Sequence, residues 1–168
     1  MIAEDSDVVT HPTHHTTVTV IGIGNEFRGD DGLGLRVVRE IGSRQLHGVR
    51  VAEAESDGAS LMRIWEGVDR VLLVDAMKLG FPPGTIHRID ASRNRVPIKF
   101  FTYSSHAFGV GQAIEMAREL HQLPPSLIVY GMEGGRFDFG TELSVPLEQN
   151  IHILKGMIMS ELNNWMER

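Results

Sequence analysis

Thr17-Val-Thr-Val-Ile-Gly-Ile23 runs directly into Gly24-Asn25-Glu26-Phe27-Arg28-Gly29-Asp30-Asp31-Gly32-Leu33-Gly34. The first seven residues are a β-branched run of strand length. A glycine-rich turn follows, and Leu35, Val38 and Ile41 then recur at helical spacing. A strand that feeds a helix through a short turn is the opening unit of an α/β fold. The cycle repeats downstream, with strands expected over 49–55, 70–76, 85–90 and 126–131, and helices over 60–66, 105–121 and 144–168. Val71-Leu-Leu-Val74 and Leu127-Ile-Val129 are unbroken apolar runs, as strands covered on both faces require. The expected architecture is a three-layer α/β/α sandwich around a central, twisted, mostly parallel sheet. In the last helix Val145, Ile151, Leu154, Ile158 and Trp165 fall near one face, with Ser144 as N-cap and Pro146 in the first turn.

The rest of the chain sets bounds on function. At 168 residues it has the length of one domain. We place that domain at 17–168, behind a flexible arm (1–16) that carries His11, His14 and His15. Sixteen Lys and Arg against twenty-two Asp and Glu leave a net charge of −6, so there is no cation surplus for neutralising nucleic-acid phosphates. Cysteine is absent, which excludes thiol nucleophiles, disulfides and thiolate metal sites. No apolar run reaches membrane-spanning length, and the acidic N-terminus is unlike a signal peptide, so a cytoplasmic protein is expected; a monomer is favoured, with the oligomeric state left open by the sequence.

The turn after the first strand is where a dinucleotide fingerprint would sit, but its third glycine position holds Phe27. Glu26, Asp30 and Asp31 would also repel a pyrophosphate. An acidic loop at a strand's carboxyl end suits a cation. The plain alternative is that Asp30 caps the following helix and Asp31 favours its dipole. Asp75 follows the apolar strand Val71-Leu-Leu-Val74, at the edge where open α/β sheets place ligands; a turn-forming Asp is the alternative. His106 opens a helix whose inward stripe is Val110, Ala113, Ala117 and Leu120, and a helix N-terminus favours neutral imidazole. Two carboxylates and an imidazole at one sheet edge make an open oxygen and nitrogen site for a divalent transition metal.

Four ordered motifs carry a family resemblance: Gly22-x-Gly24-Asn25 with Asp30-Asp31-Gly32-x-Gly34, Leu73-Val74-Asp75-Ala76, Ser105-His106-x-x-Gly109, and Val129-Tyr130-Gly131-Met132-Glu133. From Val18 to the final helix the chain resembles the [NiFe]-hydrogenase maturation proteases, which trim a C-terminal tail from the hydrogenase large-subunit precursor after nickel insertion. The resemblance implies that Asp31, Asp75 and His106 form the nickel-recognition triad and act in cleavage. Gly24, Asn25, Asp30 and Glu133 become candidate substrate contacts. Nickel would arrive with the substrate, and zinc or cadmium would replace it in the isolated protein. The implied partner is the large-subunit precursor, with no nucleic acid and no membrane. The chain departs from the family pattern at three places. Asp31 stands where Glu also occurs, Glu53-Ala-Glu-Ser-Asp-Gly58 replaces an Asp-Gly-Gly-Thr loop, and Gly131-Met-Glu133-Gly134 replaces Gly-Ile-Glu-Pro.

No Ser sits on a nucleophile elbow, so hydrolysis would use water, either polarised by metal or activated by an aspartic-type pair, Asp31 and Asp75. Two other function classes fit the same residues. One is a metal-dependent hydrolase of a small amide or nucleoside. The other is a non-enzymatic nickel accessory protein that collects metal on His11, His14 and His15. Docking is expected around Glu26, Phe27, Arg28 and the loops at 78–82 and 134–139. There Phe81, Phe137 and Phe139 are either interface anchors or buried plugs.

Overall fold

The computed structural model describes residues 18–55, 57–96 and 109–167. The expected arm (1–16) and His106 lie outside the described residues. The strands are β1 (Val18–Ile23), β2 (Val49–Ala54), β3 (Arg70–Met77), β4 (Ile86–Asp90) and β5 (Ser126–Glu133). The helices are α1 (Leu33–Gly42), α2 (Gly58–Trp65), α3 (Val110–Glu119) and α4 (Val145–Met166). A 3-10 turn over Gly29–Gly32 precedes α1.

The strands form one five-stranded sheet in the order β2-β1-β3-β5-β4. All neighbours run parallel except β4, which is antiparallel to β5 at the edge. Side-chain alternation divides the core in two. Val20, Leu72, Val74, Ile128 and Tyr130 pack with α1 and α4 on one face, while Ile21, Leu73, Val129, Leu61 and Ile114 pack with α2 and α3 on the other. This is the expected sandwich with a mostly parallel sheet. Among the described residues no helix is long and apolar enough to cross a membrane.

Several boundaries differ from the sequence reading. β3 continues through Met77 and β5 through Glu133, because the two pair in register to their ends, with Asp75 opposite Gly131 and Met77 opposite Glu133. Asp75 therefore lies inside a strand. α2 starts at Gly58, since the Asp57 carboxylate accepts N–H bonds from Ala59 (3.2 Å) and Ser60 (3.1 Å) and so caps the helix. The described part of α3 begins at Val110, and Leu120, expected on its inward stripe, is exposed just past its end. Val145 is also exposed, because Leu147 takes the first inward position of α4 ahead of Ile151, Leu154 and Ile158.

Gly34 determines how closely α1 approaches the sheet. A Cβ there would collide with the carbonyl oxygens of Val74 and Ile23. Without one, the first turn of α1 seats directly on β1 and β3, and the turn before it is carried toward the carboxyl end of β3.

Candidate active site at the carboxyl edge of the sheet

Residues 24–32 leave β1 and turn back toward α1. Gly24 adopts φ +138°, and a Cβ on it would run into the Asp31 carbonyl oxygen. That contact pins the two ends of the loop together, as does the bond from Asn25 N–H to the Asp31 carbonyl at 3.2 Å. Asn25 shapes the interior through its Oδ1, which accepts from the Phe27 N–H at 2.9 Å. Gly24 and Asn25 thus act locally, as the frame that holds Asp31.

Asp31 is half-buried, and burial raises its carboxyl above the ordinary range. The Asn25 backbone N–H and the charge of Arg28 oppose part of that rise. Asp75 is 5% exposed. Its carboxyl is pushed well above the ordinary range, first by burial and then by the negative charge of Asp31, with the Ala76 N–H acting weakly the other way. Two of the three expected triad residues, from different elements, therefore stand within electrostatic reach of each other at the carboxyl edge of the sheet. The third, His106, is outside the described residues. Among the described residues no cluster of three or more metal-binding side chains forms.

The other two candidate contacts turn inward. Asp30, expected as a helix cap or a substrate contact, is fully buried. Its Oδ2 accepts from Gly135 N (2.8 Å), Arg136 N (2.9 Å) and the Ser144 hydroxyl (2.8 Å), and its Oδ1 accepts from Ser144 N (2.6 Å). Ser144 does stand at the N-cap of α4, but its hydroxyl donates to Asp30 in place of capping the helix. Glu133 is 1% exposed. It receives the Leu79 N–H on both oxygens (2.9 and 3.0 Å) and lies 3.5 Å from His87 Nε2, bracing the loop that follows β3.

Sequence reasoning missed an ion-pair bridge beside the loop. Arg39 on α1 reaches Glu53 with two bonds of 2.8 Å and Glu26 with bonds of 2.9 and 3.4 Å, joining the loop to the end of β2. The only local signal is an exposed arginine one helical turn from Leu35 and four residues from Ser43. The bridge borders a cleft of about 300 Å³ that Gly24, Asn25, Phe27, Leu35 and Ala54 also line. Of the loop aromatics, Phe137 is a buried plug, while Phe81 and Phe139 are exposed.

The sequence and the fold are matched in known proteins. The HycI family model, described as hydrogenase maturation protease, matches residues 35–161, a span that contains Asp75 and His106 and begins just after Asp31. A Methanocaldococcus jannaschii protein named as a hydrogenase maturation protease is 27% identical over 152 residues, covering 84% of this chain and 96% of its own length. The hydrogenase expression/formation protein HupD of Bradyrhizobium diazoefficiens is 29% identical over 141 residues, covering 80% of this chain and 71% of that protein. Among solved structures, the hydrogenase maturating endopeptidase HybD from E. coli superposes with a TM-score of 0.73 at 18% identity, over 88% of this chain and 93% of that one. HybD from Thermococcus kodakarensis gives 0.63 at 20% identity, over 86% and 97%. These two structures share the fold, and the family model spans most of the domain that carries the acidic edge. The chain belongs to the hydrogenase maturation protease family.

Proposed function

We propose that this protein is an endopeptidase that removes the C-terminal extension of a nickel-loaded [NiFe]-hydrogenase large-subunit precursor. The observation that carries the reading is the electrostatic proximity of Asp31 and Asp75 at the sheet edge, inside a chain of the maturation protease family. Nickel belongs to the substrate in this reading. Asp31, Asp75 and His106 contact it on the precursor, so that cutting follows metal loading.

The electrostatics suit that order of events. Two carboxyl groups that are both held toward the neutral form, and that repel each other when charged, resist ionising together, so the proton is held more firmly in the free protein than on an ordinary Asp. A cation brought to them by the precursor favours the ionised forms, and the proton leaves to solvent. Hydrolysis then uses water, polarised by the metal or deprotonated by a carboxylate acting as general base. The water oxygen forms the new bond to the scissile carbonyl carbon, the peptide C–N bond breaks, and the amine leaves carrying a proton.

The experiment is cleavage of purified precursor, in nickel-loaded and nickel-free forms, followed by intact mass. Loss of the tail from the loaded form alone supports the reading, and insensitivity to both nickel and chelator with an acid optimum assigns the chemistry to an aspartic-type pair. No cleavage of either form, with turnover of small amides or nucleosides in the absence of any protein partner, would overturn it.

A further inference from the structure

Phe27 and Phe139 are 55% and 90% exposed, two of the large apolar side chains left open to solvent among the described residues. Single exposed apolar residues are ordinary, but these two are neighbours. Arg28 pairs with Gly140 in a short parallel bridge, in which Gly140 N–H donates to the Phe27 carbonyl (2.9 Å) and Gly29 N–H to the Gly140 carbonyl (2.7 Å). That register sets Phe27 beside Phe139. The two loops are joined again underneath, where the buried Asp30 carboxylate, one residue from Asp31, accepts from Gly135, Arg136 and Ser144. Phe137 turns inward at 6% exposure and fills the loop from within, so the outward turn of Phe139 is not a failure of the loop to find a core.

Rings fixed on braced loops lose little conformational freedom on binding, and large aromatic side chains dominate interface energetics. The position is specific as well. Phe27 belongs to the loop that presents Asp31, and it also lines the cleft beside that loop with Gly24, Asn25 and Leu35. A polypeptide laid across the carboxyl edge to reach Asp31 passes over this pair.

We propose that Phe27 and Phe139 form an aromatic grip at the rim of the Asp31–Asp75 edge, and that it holds an apolar segment of the substrate polypeptide during cleavage. The proposal rests on the peptidase reading above and assigns it a substrate-binding surface. These residues touch the substrate away from the reacting atoms, so they govern its capture and leave the chemical step alone.

The test measures initial rates against concentration of purified nickel-loaded precursor for Phe27→Ser, Phe139→Ser and the double variant. Phe139→Leu serves as the conservative replacement. Met166→Ser is the distant control, exposed next to Trp165, whose carbonyl receives the Arg70 guanidinium at the opposite end of β3. The double variant is expected to raise KM at least about tenfold with kcat within about twofold of wild type, as loss of an interface anchor does. Phe139→Leu should recover most of the loss, Met166→Ser should behave as wild type, and thermal midpoints should stay put because the rings are exposed. A double variant with wild-type KM, or one that loses kcat alone, would overturn the grip. Wild-type protein that leaves the precursor uncut would overturn the peptidase reading and the grip with it, and the wild-type reaction alone reports that failure.

Discussion

Asp31 and Asp75 lie within electrostatic reach of each other at the carboxyl edge of the sheet. Asp31 is delivered by the turn before α1, and Asp75 sits inside the central strand, near enough that the charge of Asp31 drives Asp75 further toward the neutral acid. The approach depends on Gly34, which lets α1 rest on backbone oxygens of β1 and β3. A structural glycine thus sets the electrostatics of the acidic pair.

Asp75→Asn is expected to make the protein more stable at neutral pH and inactive in processing. The sign follows from linkage. Below the ordinary Asp value of 3.8 both native and unfolded chains hold the Asp75 proton, so the group adds no pH dependence there. Above that value the unfolded chain ionises while the native chain keeps its proton, and stability falls with rising pH until the raised native pKa is passed. The substitution removes that decline. Thermal melts from pH 4 to pH 8 should show a gain on the order of a few degrees at the upper end and little difference at the lower.

Asp30→Ala is expected to be among the most damaging single changes outside the apolar core. It leaves the backbone N–H groups of Gly135, Arg136 and Ser144 without the buried acceptor they share. Urea denaturation should report a loss of roughly 3–4 kcal/mol, the scale for several charge-assisted bonds broken at once.

Gly24→Ala combines a positive φ with a collision against the Asp31 carbonyl. The loop must move, and Asp31 with it. The expected result is a destabilisation of about 1–3 kcal/mol together with loss of precursor processing, measured by denaturation and by intact mass.

Arg39→Met should leave the thermal midpoint unchanged within error, although Arg39 makes more ion-pair bonds than any neighbour of the loop. All three charges are close to half exposed, where solvent and salt screen them. A drop as large as that of Asp30→Ala would show that exposure misjudges this bridge.

A chain lacking residues 1–16 should process precursor at the wild-type rate. The peptidase reading places the chemistry on Asp31, Asp75 and His106, whereas a nickel-collecting accessory protein would fail without His11, His14 and His15. The rate of tail removal by the shortened chain separates the two.

The layers and the strand directions were legible because buried parallel strands write continuous apolar runs, and Val71-Leu-Leu-Val74 and Leu127-Ile-Val129 are such runs. The placement of Asp31 and Asp75 at the sheet edge was legible for a related reason: the loop after β1 and the end of β3 both fall at the carboxyl ends of such strands, where open α/β sheets place ligands, and their roles there are part of the proposed function. Only the capping reading of Asp30 fails, since its partners lie more than a hundred residues away and a first-turn Asp looks like a cap wherever it occurs. The burial of Glu133 was not legible because glycines stand near it on both β5 and the next loop, hiding the alternation of Leu127, Val129, Gly131 and Glu133 on one face. Exposure could not be read either: Phe137 and Phe139 are two residues apart on one loop, and only packing separates the plug from the free ring.

In the proposed function the Asp31–Asp75 edge carries out the maturation of a hydrogenase large subunit. The most direct test of that function is the intact mass of that subunit from host cells lacking this gene, complemented with wild type, Asp31→Asn or Asp75→Asn. The account predicts a tail retained in the deletion strain, removed by wild type and retained with either variant. A subunit of unchanged mass in every strain, with no second protease covering the loss, would contradict it.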